Sequence, residues 1–166
     1  MIECLISSKG SSLEGILCFS PTIYNDDRGF FYESWNLKNF NKIVGKNITF
    51  VQDNHSRSAK GVIRGLHYQV APHAQGKLIR CVMGEIFDVV VDLRRDSPSY
   101  GEWGGIFLSS SNFKQLWIPP GFAHGFLTLT EFAEINYKVT DFWFKECERS
   151  IKWDDKSVNI VWPSTN

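Results

Sequence analysis

His67 stands in the run Gly61-Val-Ile-Arg-Gly-Leu-His67-Tyr-Gln69, and His124 closes Pro119-Pro-Gly121-Phe-Ala-His124. An imidazole titrates near neutral pH, so either side chain can take or return a proton under ordinary conditions. Lys77 follows in Gln75-Gly-Lys77, and an ammonium in a cavity can hold negative charge as it develops on an oxygen. A neutral imidazole and a cation suit removal of a proton next to a carbonyl, with the resulting enolate held against the lysine. Inversion of such a carbon needs a proton returned to the other face of the ring. Tyr137, in the run Ile135 to Thr140, is the candidate donor. This chemistry requires no redox cofactor.

The two histidine runs have the spacing of the two cupin motifs, glycine then five residues then histidine, and Pro-x-Gly-x-x-His. A metal-binding cupin continues the first motif as His-x-His and then a Glu. With the second motif that makes three imidazoles and a carboxylate, a ligand set for a first-row transition metal. Here Gln69 stands where the second His would be, and His73, Gln75 and Lys77 follow with no carboxylate before Glu85. An amide and an ammonium are poor ligands for a dication. The expectation is a barrel that works without metal, against the alternative of a metal-dependent cupin oxygenase.

Short runs rich in Val, Ile, Phe and Tyr, separated by Gly, Pro, Asn or Asp, must position these groups, and they read as strands. The candidates are Ile48–Gln52, Val62–Tyr68, Lys77–Val82, Ile86–Leu93, Gly105–Leu108, Gln115–Ile118, Phe126–Leu129 and Ile135–Thr140. In the fourth, Asp88 should point inward or to a rim. Only Trp35 to Val44 has helical spacing, with Leu37, Phe40 and Val44 on one face. Turns are expected at Asp26 to Gly29, Met83 to Glu85, Asp96 to Pro98 and Pro119 to Gly121, and Ser7 to Ser12 reads as loose chain. Many short strands without exposed edges fit a closed β-barrel.

The 166 residues match one domain of ordinary size, and 43% hydrophobic and 22% charged residues are average for a soluble chain. Lys plus Arg and Asp plus Glu balance at 18 each, so no overall field draws the chain to nucleic acid or to a membrane. No apolar run is long enough to span a bilayer and no signal peptide is evident, so the expected location is cytoplasmic. Cys4, Cys18, Cys81 and Cys147 form no Cys-x-x-Cys pair and read as reduced thiols.

From about Leu13 to Pro163 the sequence resembles the dTDP-4-dehydrorhamnose 3,5-epimerases. The stretches that carry the resemblance are Asp27-Arg28-Gly29-Phe-Phe31 with Glu33, Phe50 to Ser58, Gly61 to Gln69, Gln75 to Leu78, Gly84-Glu85 with Phe87 to Arg95, Gln115 to Pro119, Gly121 to Phe126, Tyr137 to Asp141, and Glu148-Arg149 with Trp153 to Asp155. The resemblance implies an all-β fold, a cupin jelly-roll β-barrel with one or a few short helices, as a single cupin domain over residues 1–166. It implies a homodimer with strand exchange, no metal and no cofactor. The implied substrate is a dTDP-4-keto-6-deoxy sugar, inverted at carbons 3 and 5 on the route to dTDP-L-rhamnose. By the same resemblance His67 is the base, Tyr137 the proton donor and Lys77 the residue facing the keto oxygen. Arg28 and Arg64 match diphosphate or sugar contacts, which guanidinium forks suit. Glu33, Gln52 and Asn54 match nucleotide contacts, His124 a sugar contact, Glu148 a further binding position and Trp143 a ring stacked on the base.

The family pattern continues past Trp-Pro into Leu-Ser-x-Lys-Asp, whose Asp orients the catalytic His and whose Lys contacts ligand. The sequence here reads Trp162-Pro163-Ser-Thr-Asn166, and Asp88 is the candidate replacement for that Asp. Epimerisation at carbon 3 only and a non-catalytic sugar-nucleotide-binding cupin are the competing functional readings. His55 and His73 are assigned no role. Trp35, Trp103, Trp117, Trp153 and Trp162 are assigned to packing or interfaces, and Arg94 and Arg95 to a solvated turn.

Overall fold

The computed structural model describes residues 1–165. In chain order the elements are β1 (Ile2–Ile6), β2 (Ser12–Phe19), β3 (Tyr24–Asp26), β4 (Gly29–Phe31), α1 (Leu37–Val44), β5 (Gln52–Ala59), β6 (Ile63–Gln69), β7 (Lys77–Met83), β8 (Glu85–Asp92), β9 (Trp103–Ser109), β10 (Gln115–Ile118), β11 (Phe122–Thr128), β12 (Phe132–Val139) and β13 (Glu148–Ser150). A six-stranded sheet runs in the order β1-β2-β10-β7-β12-β5, and a five-stranded sheet in the order β13-β6-β11-β8-β9. Their pairings are antiparallel. The two inner faces meet in a core that includes Leu13, Ile16, Ile79, Leu116 and Ile135 from one sheet and Ile86, Val90, Leu108 and Phe122 from the other. This is the jelly-roll sandwich expected from the sequence.

Both outer faces are covered as well. Phe87, Val89, Val91 and Leu127 of the five-stranded sheet lie under Ile151, Val158, Ile160 and Trp162 from the end of the chain. Leu78 and Trp117 of the six-stranded sheet lie under Phe40 of α1, with Trp35, Ile48 and Phe50 around them. Helix α1 begins where the side chain of Asn36 accepts from the Asn39 N–H at 3.0 Å, and it ends on Gly45 at φ 71°.

Three expectations are corrected. Ile48 and Phe50 do not lie in a strand; they pack outside the sheet, and β5 is the polar stretch that follows them. Ser7 is buried in the β1–β2 hairpin, where its hydroxyl accepts from the Lys9 and Ser11 N–H groups and donates to Glu102 at 2.6 Å. Arg94 is not merely solvated: its guanidinium donates to both oxygens of the fully buried Asp92, at 2.9 and 2.7 Å. Those bonds hold the Asp92 carboxyl down at about 2 against its desolvation.

The register of β6 against β11 controls what faces inward. His67 pairs with His124 and Arg64 with Phe126, so three steps on β6 oppose two on β11. This bulge at Gly65–Leu66 lets Arg64 and His67 share the inner face, which strict alternation forbids at that spacing. Gly65 sits at φ +125°, where a Cβ would lie 2.5 Å from Gly125 Cα and 2.7 Å from the His124 carbonyl. Gly65→Ala is expected to cost about 2–4 kcal/mol of unfolding free energy, measured by urea denaturation, because backbone on both strands would have to move.

Candidate active site

One end of the sandwich interior is hollow rather than packed, leaving a cavity of about 420 Å³ between the sheets. The five-stranded sheet contributes Arg64, His67 and His124; the six-stranded sheet contributes Ser56, Lys77 and Tyr137, and Ile79, Phe126 and Ile135 form part of the apolar lining. Lys77 opens β7 and pairs with Val139, while Tyr137 pairs with Ile79 on one side and Asn54 on the other. The inner row of β5 is Gln52, Asn54, Ser56 and Ser58, with Gln52 donating to Asn54 at 2.8 Å and Ser58 accepting from Arg64 Nε at 2.7 Å. Among the described residues, the imidazole of His67, the ammonium of Lys77 and the hydroxyl of Tyr137 have no hydrogen-bond partner. Three polar groups with open valences around one cavity are groups arranged for a ligand.

Their surroundings set their protonation. Burial pushes Lys77 down to about 8, opposed by the charges of Asp88 and Glu148. Burial also lowers His67; Lys77 and His124 push in the same direction and Glu148 opposes them. Tyr137 is raised by burial, against the pull of Arg64. At neutral pH these trends leave a neutral imidazole, a cationic amine and a protonated phenol, the states proton abstraction next to a carbonyl requires.

Asp88 faces inward as expected but does not serve His67. Its side chain is fully buried, and both its oxygens lie at 2.9–3.0 Å from His124 Nε2. An ionised carboxylate can only accept, so the Nε2–H of His124 is the donor. The reason is register: Asp88 pairs with Phe126 on β11 and with Ile106 on β9, and β6 lies one strand further away. Glu148 is the carboxylate whose charge acts most directly on His67. On the neighbouring strand β13 it pairs with Gln69, two positions along from the pairing of Ser150 with His67, and accepts from the Trp143 indole at 3.1 Å.

Two predicted ligand contacts lie elsewhere. Arg28, at the exposed tip of the β3–β4 hairpin, is paired with Asp26. Glu33 accepts from Asn36 and Asn39 and lines a separate groove of about 780 Å³ beside α1. His73, given no role from sequence, is bonded to Asp141 at 3.0 Å and stacked on Phe144. Gln69 turns its amide to the 142–144 backbone instead of the cavity, so the donor set here does not form the imidazole cage of a metal cupin.

The fold is that of a cupin, whose interior cavity is lined by His67, Lys77 and Tyr137. Residues 10–166 match the family profile described as dTDP-4-dehydrorhamnose 3,5-epimerase. The dTDP-4-dehydrorhamnose 3,5-epimerase of Shigella flexneri is 56% identical over 156 residues, covering 94% of this chain and 86% of that one. The crystal structure of the dTDP-6-deoxy-D-glucose-3,5-epimerase of Legionella pneumophila, in complex with dTDP-4-keto-L-rhamnose, superposes with a TM-score of 0.89 at 45% identity, over 98% of this chain and 84% of that one. A 3'-monoepimerase from Streptomyces bikiniensis in complex with dTDP-quinovose is more distant, with a TM-score of 0.85 at 31% identity over 90% and 76% of the two chains. The chain belongs to the dTDP-4-dehydrorhamnose 3,5-epimerase family.

The depressed pKa of Lys77 has a consequence for stability. Below about pH 8 the folded chain bears the full cost of burying the charge, and that cost declines as pH rises from there towards 10.5. Lys77→Met is expected to melt higher than the wild type at pH 7, with the gap closing above pH 8 in thermal melts across that range.

Proposed function

We propose that this protein inverts carbons 3 and 5 of dTDP-4-dehydro-6-deoxy-D-glucose, towards dTDP-L-rhamnose. The observation that carries the reading is that His67 and Tyr137 stand on opposite sheets of the sandwich, facing one cavity, with Lys77 two residues along from the partner of Tyr137. A sugar ring held between the sheets would have a base on one face and an acid on the other. His67 takes the proton from the carbon next to the ketone, and the C–H electron pair moves into an enolate whose oxygen rests on the Lys77 ammonium. Tyr137 then gives its proton to the same carbon from the opposite side, which inverts it. His124, held by Asp88, and Arg64 bind the sugar and diphosphate; Gln52, Asn54, Glu148 and Trp143 extend the site towards the nucleoside.

The same reading gives Arg28 and Glu33 to a second copy of the chain. The β3–β4 hairpin exposes Tyr24, Phe30 and Phe31 at 63%, 59% and 70%, which suits a strand-exchanged homodimer better than a free monomer. In such a dimer the hairpin carries Arg28 and Glu33 to the partner's cavity. A nucleotide sugar as substrate and four unpaired cysteines suit a cytoplasmic setting. Phe31→Asp is expected to yield a monomer in light scattering with little residual epimerisation.

The direct test is proton NMR of the 4-keto sugar nucleotide in deuterated water. Exchange is expected at both carbons in the wild type and at neither in His67→Ala; exchange at carbon 3 alone would make the protein a 3-epimerase. The rate should fall on the acid side as His67 gains a proton, below the ordinary histidine value, and on the alkaline side as Lys77 loses one near pH 8.

A further inference from the structure

Gln69 stands where a metal cupin carries its second histidine, and its side chain is buried and fully engaged away from the cavity. Its Nε2 donates to the carbonyls of His73 at 2.7 Å and Phe142 at 3.1 Å, and its Oε1 accepts from the Phe144 N–H at 2.6 Å. One amide therefore pins the backbone on both sides of Trp143. Two further contacts hold the same stretch. The His73 ring stacks on Phe144 at 3.4 Å between centroids while bonding Asp141, and Gln75 donates to the Asp141 carbonyl at 2.7 Å. At the centre of this clamp the indole of Trp143 is 57% exposed, donating to Glu148.

A loop whose backbone is held this firmly beneath an aromatic face left largely in water is built to present that face. We propose that Gln69 is a positioning residue for nucleotide binding: it touches no reacting atom, and fixes the Phe142–Phe144 backbone so that Trp143 offers a preformed stacking surface for the base. This rests on the reading above that Trp143 stacks on the nucleobase. The binding free energy lost without Gln69 is that of ordering the loop at each binding event, so it appears in affinity and not in the chemical step.

The test is calorimetric titration of the full chain with dTDP, for the wild type, Gln69→Leu, Trp143→Ala and the double variant, beside the deuterium-exchange assay. Gln69→Leu should weaken dTDP binding about tenfold and raise KM similarly, with kcat held to within about twofold. Trp143→Ala should weaken binding by about tenfold or more, and adding Gln69→Leu to it should cost nothing further, because the loop then has no ring to position. Unchanged dTDP affinity in Gln69→Leu overturns the proposal, as do additive losses in the double variant. Unchanged affinity in Trp143→Ala overturns instead the stacking reading beneath it. Should Gln69→Leu fail to fold, His73→Ala removes the stack and the bond to Asp141 from a half-buried position. It should raise KM with kcat kept, and an unaltered KM overturns the clamp.

Discussion

The interior of this sandwich is organised around one unfavourable placement, the ammonium of Lys77 between two sheets that otherwise bury Leu, Ile, Val and Phe. An isolated charge in such a setting would lose its proton. It is kept because the surrounding strands forgo apolar packing at that end: β5 turns Gln52, Asn54, Ser56 and Ser58 inward, and β8 places a fully buried carboxylate, Asp88, within electrostatic reach. Asp88 is in turn satisfied by His124. The cavity follows from this placement, since polar side chains that must stay wet cannot be packed like the aliphatic layer next to them.

This constraint explains what could be read from the sequence. Strands buried on both faces, such as β8 and β10, announce themselves by their apolar runs, and the expected Gln115–Ile118 is the observed β10. Strand β5 is invisible to the same criterion because Gln-Asp-Asn-His-Ser-Arg-Ser has a solvated face on each side, one on the cavity and one on the outside. The apolar signal instead falls on Ile48–Gln52, whose Ile48 and Phe50 belong to the outer layer around Trp117. At the amino-terminal hairpin the polar turn from Ser7 to Ser12 hides order that comes from far along the chain, the pairing of β2 with β10 and the bond between Ser7 and Glu102.

At the site, residue type and spacing bring His67, Lys77, His124 and Tyr137 forward as candidates, the family resemblance supplies their expected roles, and all four line one cavity. What spacing cannot give is the partner of each. Asp88, a candidate partner for His67, lies on His124, a matter of which strand neighbours which. The clamp formed by Gln69 and His73 is equally hidden, since its partners, the Phe142 and Phe144 backbone and the Asp141 carboxylate, lie some seventy residues away.

The bulge in β6 also sets the phase of everything after it on that strand. Arg64 reads the cavity in one frame and His67 in the other, and Gly65–Leu66 is where the frame changes. An unbulged strand with the same residues would keep every catalytic side chain in the sequence, yet turn the histidine out against the layer occupied by Trp162 and swing Tyr68 into the interior. The chemistry of this cavity is thus written partly in the pairing, and a chain with all the right residues in a strictly alternating β6 would have no active site.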